Sequence, residues 1–182
     1  MDRTGKTIQV VPIAAEHVEG FHGCLDAVAR ERRWLGFVEA PPLENVRSFV
    51  RGNIANDLPQ FVAMDGTRVV GWCDVSPKRL AGFTHCGQLG MGVLAEYRGL
   101  GIGERLARAV LAKTRSIGLE RVELEVYASN LPAIGLYRKL GFQVEGTLRH
   151  GRKLDGRYED VVIMALLVEA PDSPAAQEAT SS

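Results

Sequence analysis

Apolar and polar positions along the chain alternate between two periods. Lys6 to Ile13 reads as an edge strand that stops at Pro12. From Glu16 to Leu35 the apolar residues Val18, Phe21, Leu25, Val28 and Ala29 follow helical i, i+3, i+4, i+7 spacing. Gly36 to Pro42 breaks that helix, and Leu43 to Asn56 repeats the spacing with Val46, Phe49, Val50 and Ile54. Gln60 to Met64 and Arg68 to Val75 are β-branched and aromatic runs, and the Asp65-Gly66 pair between them is a hairpin signal. Thr84 to Val93 is a further strand, interrupted by Gly87, Gly90 and Gly92. Gly101 to Ile117 is helical and ends at Gly118.

Arg121 to Tyr127 alternates cleanly, with Val122, Leu124 and Val126 on one face. Asn130 can cap the next helix, with Pro132 in its first turn and Ala133, Leu136, Tyr137 and Leu140 at helical spacing up to Gly141. Phe142 to Leu148 and Arg157 to Val168 are two last strands. The final one is apolar on both faces, which predicts a central strand covered on both sides. The order β-α-α-β-β-β-α-β-α-β-β predicts an α/β sandwich, with helices on both faces of a mixed sheet. One domain is expected over residues 1–169, followed by a disordered Pro-, Ser-, Ala- and Glu-rich tail over residues 170–182.

Composition narrows the function. Lys plus Arg (22) equals Asp plus Glu (22), so the formal net charge is +0. Nucleic acid and anionic membrane surfaces draw their binding energy from a basic surplus, so neither is an expected partner. No apolar run is long enough for a membrane-spanning helix. Cys24, Cys73 and Cys86 are an odd, scattered set without a CxxC pair, and the four histidines lack metal-ligand spacing. A reducing cytoplasm is the expected compartment, with no metal.

The sharpest chemical feature is Tyr97-Arg98-Gly99-Leu100-Gly101-Ile102-Gly103-Glu104, between a strand and a helix. Glycines at alternate positions let successive N–H groups turn into one concavity, and the helix N-terminus adds its own unpaired donors. Together they form a phosphate or pyrophosphate cradle. The dinucleotide fingerprint GxGxxG fails, because Glu104 stands where the third glycine of one register should be and Leu106 where that of the other should be. No Walker loop exists either.

Arg98-Gly99-Leu100-Gly101-Ile102-Gly103 resembles the acetyl-CoA pyrophosphate loop of the GNAT superfamily of N-acetyltransferases. Leu89 to Val93 resembles the family's fourth strand, and Glu125 to Phe142 its second signature, with Asn130, Ala133, Tyr137 and Gly141-Phe142 at matching spacings. The resemblance runs from Ile8 to Leu167 in the right element order. It implies a mostly antiparallel sheet of about seven strands, and within the family it extends to bacterial members that acetylate amino acids or their analogues.

The resemblance also implies a ternary complex, in which an amine attacks the thioester carbonyl of acetyl-CoA directly. Arg98, Gly99, Leu100, Gly101, Ile102, Gly103 and Glu104 would hold the pyrophosphate. Met91, Gly92 and Val93 would offer main-chain groups to the pantetheine and the thioester oxygen. Asn130 and Ala133 would line the pantetheine arm, with Asn130 also serving as a helix cap. Tyr137 would bind beside the thiol and act as the general acid, since a phenol stays protonated at neutral pH. It also lies on the apolar face of its helix, so a core role stands beside the catalytic one.

Relatives often carry Asp or Glu at the position of Gln88, which cannot accept a proton at neutral pH. Glu31, Glu39, Asp74 and His85 remain as alternative bases, and the proton could also leave through water. The acceptor is expected near Glu31, Trp34, Phe37, Trp72 and Gln88, with Arg32 or Arg33 available for a carboxylate. The expected function is acetyl transfer to the primary amine of a small, amino-acid-like molecule. Alternatives are a protein N-terminus or lysine as acceptor, or a CoA-binding module without catalysis. A homodimer is consistent with the resemblance.

Overall fold

A computed structural model describes residues 7–168. The expected tail over residues 170–182 lies outside the described residues. A seven-stranded sheet has the order β1-β2-β3-β4-β5-β7-β6. Its strands are β1 (Ile8–Pro12), β2 (Gln60–Asp65), β3 (Arg68–Pro77), β4 (Cys86–Val93), β5 (Arg121–Tyr127), β6 (Gln143–Leu154) and β7 (Arg157–Leu167). Every neighbouring pair is antiparallel except β4 and β5, which run parallel. The helices are α1 (Val18–Arg30), α2 (Leu43–Ala55), α3 (Ile102–Ser116) and α4 (Leu131–Lys139).

The period-2 strands put alternate side chains on opposite faces. On one face, Trp72 of β3 meets Phe21 of α1 edge-on, with ring centroids 5.7 Å apart. On the other, a Cβ at Gly71 would meet Leu106 of α3. Helices therefore cover both faces, and Val50, Val62, Val70, Leu106, Val110, Val122, Leu124 and Met164 are fully buried between the layers. Among the described residues no helix is long and apolar enough to cross a membrane.

The periodicity overruns in two places. The first helix stops at Arg30 rather than at Leu35. Arg32 takes a left-handed backbone (φ 56°) there, and the chain crosses irregularly to α2. Long-range bonds hold this segment: Arg32 donates twice to the Asp155 carboxylate (2.8 and 2.9 Å), and Arg152 donates to the Arg32 carbonyl. The last strand, β7, does lie between two others, but it is next to the sheet edge and only partly covered. Its apolar residues pack on one side against the core while the edge strand β6 stays largely exposed.

Candidate active site

The parallel pair is where the sheet opens. β4 and β5 are in register only at Cys86–Arg121, Gly87–Val122 and Gln88–Glu123. Beyond Gln88, β4 continues to Val93 with its full antiparallel pairing to β3, while β5 stays with β7. Leu89 to Val93 thus face Leu124 to Tyr127 across a wedge, with no ladder between them. Gly92 has its own reason: the Trp72 ring lies against it, so a Cβ there would fall 2.2 Å from a ring carbon.

The loop at the wedge mouth is shaped by backbone chirality. Gly99 and Gly101 both have φ of 75°, a region that favours glycine. Gly101 is the N-cap of α3, and no side chain caps that helix start. The first-turn N–H groups and the positive end of the helix dipole are therefore open to an anion. Glu104 lies in the same turn, but Lys139 and Arg108 bind its carboxylate and hold it below the ordinary carboxylate range. Arg98 does not stand free to meet an anion. Its guanidinium forks onto the Glu31 carboxylate (2.9 and 2.6 Å) and donates to the Val93 carbonyl at 2.9 Å.

Tyr137 is 7% exposed, beside Phe142 at a centroid distance of 5.7 Å. Burial pushes its phenol well above the usual tyrosine range, so the group is a proton donor and never a phenolate at neutral pH. Asn130 caps α4 by accepting from the Ala133 N–H at 3.3 Å. Both roles read for it are compatible, because the cap uses only its carbonyl oxygen and the residue also lines the cavity. Tyr137 likewise both packs and faces the cavity.

One continuous cavity of about 1120 Å³ joins these parts. Sites for a single small ligand span about 300–1,000 Å³, so this one has room for a large ligand or for two. It runs from Arg98, Gly99, Gly101, Ile102, Gly103 and Glu104, past Met91, Gly92, Val93, Asn130, Ala133 and Tyr137, to Trp34, Phe37, Trp72 and Gln88. Four expected residues do not line it, Arg32 and Arg33 among them. Leu100 is absent from the wall, and Glu31 is turned to Arg98 instead of the acceptor end. Of the alternative bases, Glu39 sits 3.7 Å from Arg30 on the surface and His85 is exposed outside the cavity. Only Asp74 lines it.

Several wall residues escaped sequence reasoning. Phe21, Leu25 and Val46 read as core, and they are buried, yet they also form the cavity floor. Phe49 is partly exposed on α2 and Glu125 exposed on β5. The strand alternation placed Glu125 opposite the buried Leu124 and Val126, a signal that was present but not specific. The cysteines are buried and free, and desolvation drives the Cys24 thiol up to about 12 and that of Cys73 well above its ordinary value. Neither is a thiolate nucleophile at neutral pH.

A sheet split at its parallel pair, with an uncapped helix turned into the split, defines an α/β protein with an open cleft between two strands. The chain belongs to the acetyltransferase (GNAT) family, whose sequence model matches residues 25–142. It is 40% identical over 116 residues to an N-alpha-acetyltransferase of Sulfurisphaera tokodaii, covering 58% of this chain and 66% of that protein. It is 29% identical over 109 residues to an L-amino acid N-acetyltransferase of Escherichia coli, covering 59% and 67%. The matched part thus spans about two thirds of these relatives. Its fold superposes on a GNAT-family acetyltransferase of Streptococcus pneumoniae with a TM-score of 0.83 at 20% identity, covering 90% of this chain and all of that one. A phosphinothricin acetyltransferase of Sinorhizobium meliloti, solved with acetyl-CoA, gives 0.79 at 20% identity, covering 89% of each chain.

Proposed function

We propose that this protein transfers the acetyl group of acetyl-CoA to the primary amine of a small, amino-acid-like molecule in a ternary complex. The carrying observation is the single cavity, which offers an anion-binding turn at one end, a buried phenol in the middle and an aromatic chamber at the other. Acetyl-CoA would supply an activated thioester there. The uncapped first turn of α3, with the loop from Arg98 to Gly103, fits its pyrophosphate through backbone N–H groups. The edge of β4 from Met91 to Val93 fits the pantetheine arm, because the split leaves its side facing β5 without a strand partner, the Val93 carbonyl being taken by Arg98. Tyr137 would give a proton to the departing sulfur, and its raised pKa supports that role by keeping the proton available.

The acceptor end combines Trp34, Phe37, Phe49 and Trp72 with the polar groups of Asp74, Gln88 and Glu125. Of the two arginines read for a carboxylate, Arg32 is committed to Asp155. Arg33 lies 4.4 Å over the Trp34 ring and makes no ion pair among the described residues. An amino acid has an apolar side chain for the aromatic wall and an ammonium for Asp74 and Glu125, while Arg33 lies outside the cavity wall. The likeness to the Sulfurisphaera tokodaii N-alpha-acetyltransferase favours a second reading, a peptide N-terminus as acceptor. CoA-thiol release measured with free L-amino acids, polyamines, aminoglycosides and short peptides separates the two. Turnover with amino acids supports the proposal. Turnover with peptides alone replaces it, and saturable CoA binding without turnover leaves a binding module.

A further inference from the structure

Gln88 cannot accept a proton at neutral pH, yet the next row of the same sheet face holds Asp74. Asp74 of β3 is paired in register with Gly90 of β4, and with Gln60 of β2 on its other side. A Cβ at Gly90 would sit 3.4 Å from Asp74 Oδ1. The missing side chain therefore leaves the carboxylate open to the cavity instead of roofed by its cross-strand neighbour. Asp74 lies on the face that carries Trp72 and Gln88, the acceptor side, one residue along the ladder from the stretch of Met91 to Val93.

Asp74 is half-buried, and its immediate neighbours carry little charge. On its own strand Ser76 donates a long bond of 3.4 Å. On β4 the facing residues are Gly90 and Gln88. On β2 it is Gln60, whose Nε2 is buried without a partner and whose Oε1 accepts from Asn53 of α2. Across the wedge on β5 stand Glu123, bound by Lys78 and Arg121, and the exposed Glu125. From the helical side the cavity brings Asn45 and, at its rim, Trp34 with Arg33 above it. Burial pushes the Asp74 carboxyl up to about 7, with only the Ser76 bond opposing it.

We propose that Asp74 is the catalytic base that takes the proton from the acceptor ammonium before attack. This deepens, and rests on, the N-acetyltransferase reading. The acceptor arrives as R–NH3⁺ and gives one proton to an Asp74 oxygen. The freed lone pair forms the N–C bond to the acetyl carbonyl carbon while the C–S bond breaks. The sulfur takes a proton from Tyr137 Oη, and the nitrogen sheds a second proton, which restores the phenol through water. The sum is R–NH3⁺ plus acetyl-S-CoA giving acetyl-NH-R, HS-CoA and one proton released by Asp74. A base with a pKa near the working pH is well matched to an ammonium donor.

The test compares Asp74→Asn with the parent across pH 5.5 to 9, a range of about 1.5–2 units on either side of neutrality, with acetyl-CoA saturating and the amine panel as acceptors. The parent kcat is expected to fall about tenfold per unit below pH ~7, and the variant to be about 100-fold slower and to lack that break. Unchanged kcat with the same acidic limb in Asp74→Asn overturns the base assignment and leaves the acetyltransferase reading standing. A parent that releases no CoA with any amine overturns the reading and the inference with it. A second readout needs no turnover. In the ligand-free protein with ¹³C-labelled aspartate, one carboxyl resonance is expected to titrate near 7 and to vanish in Asp74→Asn; an Asp74 resonance titrating below about 5, in the ordinary carboxylate range, overturns the proposal.

Discussion

The two ends of the cavity are built by different means. At the proposed coenzyme end the groups that would recognise the ligand belong to the main chain, and regular elements with buried sides hold them: Ile102 is 1% exposed and Leu106 fully buried beneath the turn. At the proposed acceptor end the groups are side chains from several elements, Trp72, Asp74 and Gln88 on strands and Phe49 on α2, joined by Trp34 and Phe37 on the irregular segment between α1 and α2, where Phe37 is 50% exposed. That segment is tied down by bonds to distant parts, His22 to the Pro41 carbonyl, Asp26 to the Ala40 N–H and Arg32 to Asp155. A ligand common to a family suits backbone recognition, which is indifferent to side-chain identity. A ligand that differs from member to member suits a segment whose residues can change without disturbing the sheet.

Substitutions can break this division or sharpen it. The largest effect is expected between the two ends, where Tyr137→Phe should lower kcat about 100-fold and leave the Kd for acetyl-CoA within about twofold. Steady-state kinetics beside calorimetry would read both, and an unchanged kcat removes Tyr137 from proton transfer. Next, Gly101→Val forces a β-branched residue to φ of 75°. A strain of about 1–3 kcal/mol should weaken acetyl-CoA binding about 10- to 100-fold, whatever the acceptor. If acetyl-CoA binds this variant normally, the turn is not the pyrophosphate cradle.

A smaller and more selective effect is expected at the other end. Trp34→Ala should raise the acceptor KM about tenfold while the Kd for acetyl-CoA holds, since it removes an aromatic wall and the seat of Arg33. Equal losses for both substrates would show that the two ends are not separable. The smallest effect is thermodynamic. Asp74 binds its proton more tightly folded than unfolded, so the parent loses stability as pH rises from about 4 to about 7 and keeps that deficit above it. Asp74→Asn should therefore match the parent in Tm near pH 4 and exceed it at pH 8, by about 2–4 °C for each kcal/mol relieved. A constant difference across that range would place the carboxyl in an ordinary environment.

The same contrast decides what could be read from the residues. Element order, the glycine turn, the helix cap at Asn130 and the position of Tyr137 all depend on neighbours within a few residues, and all were legible. The end of α1 was not, because Arg32 leaves the helix for a carboxylate 123 positions away. Glu31 was assigned to the acceptor from its place in the chain, whereas its partner Arg98 lies 67 positions on. In the sequence Asp74 is one alternative base among four, beside Glu31, Glu39 and His85. Its distinction comes from standing opposite Gly90, a matter of register between strands that no periodicity displays.

The three rungs from Cys86 to Gln88 act as the spine of a book whose leaves are β1 to β4 and β5 to β7. Parallel strands in register would close such a book by zipping rung by rung, and here the zipper stops at the third. The open pages leave the main-chain edges of two strands facing each other with no ladder between them. A ligand laid between them binds the protein and also completes its sheet, so occupancy and folding draw on the same hydrogen bonds. The protein should be hardest to unfold when the book has something in it.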